Sequence, residues 1–259
     1  MKKYFKVWFV FSKNSLQRDF GSRLGLAFLL TGKIVRFVLF FVFLYFLLSG
    51  IGELAGYTRQ QVILVFLTFN LVDITSQFMF REVYRFRPLI LNGDFDLVLV
   101  KPIKPLFRSL MGGADFIDFL TLFPLTGILV HYVLAIKPPI PLMFAYMSLV
   151  LNAIVIAAAL HIFILGFAVI TFELDNLLWI LRELMGLGRV PIEVYSFLLR
   201  SVLTYLLPVA TMIALPARTL MGLARPGALI LAYIFGAFFL YVSLKFWKFA
   251  LIRYSSASS

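Results

Sequence analysis

The 259-residue sequence contains no cysteine and little charge, since only 14% of its residues are Asp, Glu, Lys or Arg. The absence of cysteine excludes a disulfide framework, a thiolate nucleophile and a cysteine-ligated metal site. The two histidines, His131 and His161, lie in different apolar stretches without a partner at metal-ligand spacing, so no zinc site is expected. The chain is 62% hydrophobic, which is too much apolar surface for one water-soluble core. We therefore expect a membrane protein.

Basic residues outnumber acidic ones by 24 to 12. Nucleic-acid-binding proteins carry such an excess on a soluble surface, so membrane lipid rather than nucleic acid is the expected partner. A nucleotide-binding P-loop needs a glycine, four residues and then Gly-Lys-Ser/Thr. At the only Gly-Lys pair, Gly32-Lys33, Ala27 stands at the first glycine position and Ile34 at the hydroxyl position. We therefore expect that this chain neither binds ATP in that way nor acts as an enzyme.

Long apolar runs predict helices that cross a bilayer, because about 20 helical residues span the ~30 Å hydrocarbon core. Five segments meet this demand: 34–54, 61–80, 110–136, 142–172 and 228–251. The region 171–223 is broken by prolines and charges, and it allows two interpretations. Either residues 172–188 cross and the proline-rich remainder re-enters from the far side, or residues 192–215 cross and residues 172–188 lie on the surface. Both give an all-α fold with six spans; hydropathy favours the second, because charges at membrane depth are costly.

The distribution of basic residues indicates the orientation. Residues 1–36 hold eight Lys and Arg residues, the loop 81–108 holds six and the tail from residue 245 holds three, together seventeen of the 24. This predicts that both termini and the loop 81–108 are cytoplasmic. Residues 1–25 are too short and too charged to cross. Phe5 and Trp8 share one helical side with Lys3 opposite, which predicts an interfacial helix; the alternative is a basic flank that only sets the topology.

Three polar residues of the second predicted span share one helix face at i, i+3 and i+7: Asn70, Asp73 and Gln77. A carboxylate at membrane depth normally faces the bundle interior or an aqueous path. Two interpretations stay open: this face lines a substrate pathway, or it only hydrogen-bonds neighbouring helices. A second acidic pair, Asp115 and Asp118, begins the third span, where solvation or pairing with Arg81 or Arg85 is expected.

The loop 81–108 combines turn-forming, proline-containing and charged sequence. Asn92-Gly93-Asp94 is a turn signal, and residues 97–100 form a short apolar run. Lys101-Pro102 and Lys104-Pro105 favour extended backbone before each proline. The pattern predicts a compact, rigid elbow suited to docking against another protein, and the alternative is a loop that only returns the chain.

At these residues the sequence resembles the ABC-2-type permeases, specifically the six-span bacterial exporter permeases grouped with viologen and drug exporters. The resemblance rests on residues 93–107 (GDFDLVLVKPIKPLF), residues 189–195 (RVPIEVY), the later Pro208 and Leu215-Pro216-Ala217, and the tail 247–254. Relatives usually have a small polar residue where this chain has Lys104. The resemblance implies a dimer of identical or different permease chains with two separate ABC ATPase subunits, which bind the ATP. It also implies that residues 81–108 couple ATPase closure to the spans, that residues 172–188 form the fifth span, and that residues 189–226 form a re-entrant element.

We therefore expect residues 1–259 to form one ABC-2-type transmembrane domain, the permease of an exporter in a bacterial plasma membrane. The alternatives are a secondary transporter or channel driven by an ion gradient, a lipid-modifying enzyme, and a vitamin-capturing ABC component. Asn70, Asp73 and Gln77 are the candidate pathway residues. The candidate ATPase-docking residues are Phe86, Arg87, Pro88, Asp94, Asp96, Lys101 and Pro102.

Overall fold

The computed structural model describes residues 2–21 and 23–255, so Met1, Ser22 and residues 256–259 of the expected domain lie outside the described residues. Almost all of the described chain is helical. Within it, five helices are long and apolar enough to cross a bilayer: Leu24–Ile51, Arg59–Leu91, Phe116–Ile136, Ile140–Thr171 and Pro226–Ile252. They correspond to the five spans that hydropathy predicts. The expected all-α membrane fold is therefore confirmed.

The N-terminal part consists of two helices, α1 (Lys2–Phe20) and α2 (Arg23–Ile51). At 1.5 Å per residue the 29 residues of α2 extend about 44 Å, which exceeds the ~30 Å hydrocarbon core. A two-stranded antiparallel hairpin of β1 (Glu53–Leu54) and β2 (Tyr57–Thr58) follows. Its turn places Ala55 and Gly56 at positive φ, as a type I′ hairpin turn requires.

The predicted elbow 81–108 is a series of short helices that continues from α3 (Arg59–Phe80). After α3 come a 3₁₀ turn and three short helices: Arg81–Arg85, α4 (Phe86–Leu91), α5 (Asp94–Leu99) and α6 (Pro105–Leu110). Pro88 lies in the first turn of α4, where its missing N–H leaves no helical hydrogen bond unmade. The predicted turn is confirmed, because Gly93 has a φ of 75° between α4 and α5.

The third and fourth long helices are α7 (Phe116–Ile136) and α8 (Ile140–Thr171). α7 begins at Phe116 and not at Leu110 as expected, because Asp115 caps it. The Asp115 carboxylate accepts hydrogen bonds from the backbone N–H groups of Ile117 at 2.9 Å and Asp118 at 3.1 Å. Its other oxygen lies 3.0 Å from Nε of Arg81, which confirms the expected pairing.

The proline-containing region between α8 and the last helix is irregular. In chain order it contains the following elements: α9 (Asp175–Gly186), 3₁₀ turns Leu187–Arg189 and Ile192–Val194, α10 (Phe197–Ser201), π-helical turns Val202–Leu206 and Ala210–Ala214, α11 (Leu215–Leu220), and α12 (Pro226–Ile252). The limbs Phe197–Leu206 and Ala210–Leu220 are bent by 78° relative to each other. Pro208 lies at this bend, where its ring and missing N–H interrupt the helix.

Contacts at the two ends of α3 show the path of residues 175–193. Beyond the C-terminal end of α3, Arg87 donates a 2.7 Å hydrogen bond to Asp175. Before the N-terminal end of α3, Tyr57 donates a 3.1 Å hydrogen bond to Glu193. Residues 175–193 therefore run antiparallel to α3 between these two contacts. α9 alone has 12 residues, about 18 Å, so the path includes the turns that follow it.

α8 and α12 pack side by side and point in the same direction. Asn152 donates a 2.9 Å hydrogen bond to the carbonyl of Ala232, and further along both helices Gly166 lies against the ring of Phe246. A Cβ at Gly166 would lie 2.7 Å from that ring, so the contact requires glycine. Because the helices are parallel, the intervening chain must return to the end at which α8 begins.

Candidate functional site

A cavity of about 1140 Å³ lies between α2, α3, α7 and α9. The three predicted pathway residues, Asn70, Asp73 and Gln77, all line it. Gln77 donates a 2.8 Å hydrogen bond to the Asp73 carboxylate, and Asn70 donates a 2.8 Å hydrogen bond to the carbonyl of Phe66 one turn earlier. The polar face of α3 therefore faces a cavity rather than lipid.

Basic side chains from several elements line the same cavity: Lys33, Arg36, Arg182 and Arg189. Lys33 forms an ion pair with Asp118 at the start of α7. Within the described part of the chain, none of the three arginines has a carboxylate oxygen within 4.0 Å. The sequence analysis treated charges such as Arg182 only as an energetic cost at membrane depth. It did not identify this cluster of basic residues. The available signal was that Arg182 and Arg189 are seven residues apart, which places them on one helical face.

Aromatic rings form much of the remaining wall. The guanidinium carbon of Arg189 lies 5.4 Å from the ring centroid of Phe69 and 5.7 Å from that of Phe40. The guanidinium carbon of Arg182 lies 5.8 Å from the ring of Tyr84. Such cation–π contacts partly replace the hydration that a guanidinium loses in apolar surroundings. The cavity therefore combines cationic groups with ring faces.

The predicted docking residues lie on α4, α5 and the turn after α5. Arg87, Pro88, Asp94, Lys101 and Pro102 are exposed, and Asp96 is half-buried. Phe86 differs from the expectation, because its side chain is fully buried and packs edge-on against Phe95 with ring centroids 5.1 Å apart. It therefore supports the surface from beneath.

Two exposed apolar side chains lie beside these charged residues. Leu97 is 57% exposed and Val100 is 80% exposed. We name the patch formed by Asp94, Leu97, Val100, Lys101 and Pro102 the coupling surface. An apolar patch bordered by charges is typical of a protein interface.

The coupling surface is connected to the long helices by a cluster of aromatic rings. Phe95 of α5 contacts Tyr254 at 5.2 Å and Trp247 of α12 at 6.4 Å between ring centroids, in addition to Phe86. α5 is therefore in contact with the C-terminal part of α12.

α1 lies across the other side of the elbow. Lys3 donates a 2.7 Å hydrogen bond to the carbonyl of Pro102, and Arg85 donates a 2.9 Å hydrogen bond to Ser15. The backbone N–H of Ala114 donates to Ser12 at 3.2 Å. α1 is therefore packed against the elbow.

A polar cluster joins the hairpin to the region after α9, at the opposite end of α3. Glu193 accepts hydrogen bonds from Tyr57 and from Arg218 of α11, each at 3.1 Å. Burial and the nearby Glu193 carboxylate raise the pKa of Tyr57 to about 12. The phenol therefore stays protonated at neutral pH and remains a hydrogen-bond donor.

The part of the chain that the structure describes contains no group of three or more His, Asp or Glu residues able to hold a metal ion. A family model described as "ABC-2 family transporter protein" matches residues 34–258. No curated protein and no solved structure matches the chain. The matched residues include most of α2 and all later elements, and thus the coupling surface and the cavity wall except Gly32 and Lys33.

Proposed function

Because the chain belongs to the ABC-2 family of transporter proteins, we propose that it is the permease subunit of an exporter powered by separate ABC ATPase subunits. Membership of this family makes it a multi-pass membrane protein and the membrane component of an ABC transporter. In our proposal two permease chains, identical or different, enclose the pathway in a bacterial plasma membrane. Two ATPase subunits bind them from the cytoplasm.

The observation that carries the proposal is the coupling surface. Its exposed Leu97 and Val100 lie on and directly after a helix that packs through Phe95 against α12. On the same elbow, Arg87 forms an ion pair with Asp175 at the start of α9. A partner bound here would therefore act on both α9, which lines the cavity, and α12.

In the proposed mechanism, ATP draws the two ATPase subunits together and moves the coupling surfaces bound to them. The shift of α9 and α12 changes which side of the membrane the cavity faces. The ATPase needs a different affinity for the two states, because only such a difference shifts their populations. Asn70, Asp73 and Gln77 would then contact the substrate as it passes.

We propose six crossings, with both termini and the elbow in the cytoplasm. The fifth crossing would be α9 with its following turns, since residues 175–193 run antiparallel to α3 between contacts at its two ends. Residues 189–226 would contain the re-entrant element, because the bent limbs leave and return to the end where Arg218 contacts Glu193. Gly188 packs against Val209 and Ile213 near the bend, which provides protein contacts for this irregular backbone.

The docking proposal is tested by placing a charge at Val100. The tagged full-length chain is purified from its native membrane, and the co-purified ATPase is identified by its nucleotide-binding peptide. Val100→Glu should strongly reduce the co-purified ATPase, since an unpaired carboxylate would enter an apolar contact. Leu223→Glu is the matched control, because Leu223 is 46% exposed and follows α11 at the other end of the molecule. Equal recovery of ATPase with both variants would exclude the coupling surface as the docking site.

Gradient-driven secondary transport remains the second candidate, and Asp73 on the cavity wall is the observation that favours it. This function predicts that the chain reconstituted alone moves solute when a proton or sodium gradient is imposed. The exporter proposal predicts no such movement without ATP and its ATPase.

A further inference from the structure

The cavity between α2, α3, α7 and α9 has more basic than acidic groups without a charged partner. Lys33 is paired with Asp118, and Asp175 is paired with Arg87. After these pairs are set aside, three arginines and two acidic residues remain on the wall: Arg36, Arg182, Arg189, Asp73 and Glu183. Within the described residues, one more basic than acidic side chain of the wall therefore lacks an ion-pair partner.

We propose that this cavity binds an amphiphilic anion, meaning a phosphate, sulfonate or carboxylate group attached to a bulky apolar body. The proposal deepens the exporter function, on which it rests, by naming a substrate class. Guanidinium groups at membrane depth are costly unless they are paired, and the planar fork of Arg binds oxyanions with two parallel hydrogen bonds. An anionic headgroup would supply the direct ion-pair partner that no carboxylate of the described residues provides within 4.0 Å.

The position of Arg189 favours an anion over a cation at this site. Its guanidinium contacts the rings of Phe40 and Phe69, and the structure gives it no hydrogen-bond acceptor among the described residues. The acidic competitors on the wall are Asp73, which accepts a hydrogen bond from Gln77, and Glu183. Three guanidinium groups with five N–H donors each exceed the acceptor sites of two carboxylates, so the arginines have unused donor capacity.

The size and lining of the cavity fit the apolar body of such a ligand. Its volume of about 1140 Å³ lies above the range of roughly 300–1,000 Å³ typical of small-molecule pockets. Phe43 and Trp179 contribute further ring surface, and Trp179 is 66% exposed. A small inorganic anion would leave these rings without contact.

The test measures binding to the full-length chain in a non-ionic detergent, without ATPase. The probe is dansylaminoundecanoic acid, and its comparison is the same dansyl chain ending in an amine. We expect the acid to bind more tightly than the amine. Arg182→Gln and Arg189→Gln should each weaken acid binding about tenfold or more, the effect of losing a charge-assisted hydrogen bond. Arg225→Gln is the charge-matched control, since Arg225 is exposed and lies outside the cavity.

Two further measurements keep the result interpretable. Arg182→Lys retains the charge and should retain more acid binding than Arg182→Gln, which separates charge loss from misfolding.

Vesicles of phosphatidylglycerol should displace the probe if the anion is a membrane lipid, and phosphatidylcholine vesicles should not. If the probe stays bound in the presence of either kind of vesicle, the ligand is a free amphiphilic anion and not a membrane lipid. The proposal includes this case. Tighter binding of the amine, or acid binding unaffected by all the arginine variants, would overturn the proposal. The binding assay contains no ATPase, so its result does not depend on ATPase docking. Failure of the anion proposal is therefore distinguishable from failure of the exporter proposal.

Discussion

At the scale of single residues, Gly112 allows two charged side chains to meet beneath the elbow. Buried Glu82 forms an ion pair with Arg108, and Arg85 lies 3.9 Å from the same carboxylate. A Cβ at Gly112 would lie 2.6 Å from the carbonyl oxygen of Arg108 and would also strike both side chains. Backbone cannot move aside cheaply, so the absence of a side chain is a packing requirement here.

Gly112→Ala should therefore destabilise the protein by about 1–3 kcal/mol, the usual cost of overpacking. Thermal unfolding of the purified chain in detergent measures the effect. Gly127→Ala is the control, because a Cβ added to that exposed glycine of α7 would have no atom within 4 Å, and the change should be neutral or slightly stabilising. A similar melting temperature for the two variants would contradict this packing argument.

The candidate pathway could be predicted only in part at the residue scale. Asp73 and Gln77 belong to one helix, so their shared face follows from spacing alone. Arg36 and Arg189 lie far apart in the sequence and converge only after α2 and the 3₁₀ turn Leu187–Arg189 pack against α3. No pattern in the local sequence predicts that these two arginines lie on the same cavity. Phe86 shows the opposite error, since it was predicted to be a docking residue but its side chain is fully buried.

At the scale of elements, α5 is connected to the membrane helices chiefly through Phe95. This ring is fully buried and contacts Phe86, Trp247 and Tyr254. Each such ring pair contributes about 0.5–1.5 kcal/mol beyond its buried area. We therefore predict that a displacement of α5 is transmitted to α12 through this ring.

Phe95→Leu keeps apolar volume but removes these ring contacts. We expect normal recovery of ATPase, because the coupling surface is unchanged, together with less substrate transported per ATP hydrolysed. Both rates are measured in vesicles containing the complete transporter. Phe28→Leu in α2, at a side chain that is 77% exposed, should leave the ratio unchanged. If Phe95→Leu leaves the ratio of transported substrate to hydrolysed ATP unchanged, the movement of the ATPase is not transmitted through this ring.

The elbow also shows what sequence could and could not predict about elements. The turn at Gly93 and the proline start of α6 follow from local chemistry, and both are observed. The packing of α1 against the elbow was not predicted, because Ser12 and Ser15 carry no pattern that identifies a partner. Such contacts depend on tertiary structure alone.

At the scale of the whole molecule, hydropathy identified the helices that are apolar along their length. It favours residues 192–215 as the fifth crossing, whereas we propose α9 with its following turns, because the Arg182 and Glu183 charges of this short helix lie on the cavity wall. A hydropathy average treats such charges as exposed to lipid, whereas here they face a cavity. Hydropathy averaged along the sequence also cannot predict the parallel packing of α8 and α12, because that packing is a tertiary contact.

The proposed topology is testable because the chain has no cysteine, so each introduced thiol is the only one present. A membrane-impermeant maleimide added to intact cells should label Lys137→Cys, Ser196→Cys and Arg225→Cys. It should label Lys104→Cys and Glu173→Cys only after the membrane is permeabilised. All five positions are exposed, so burial does not limit the reaction. The informative pair is Glu173 and Ser196, which flank the proposed fifth crossing. Labelling of both from the same side would contradict that crossing and would instead support residues 192–215 as the span.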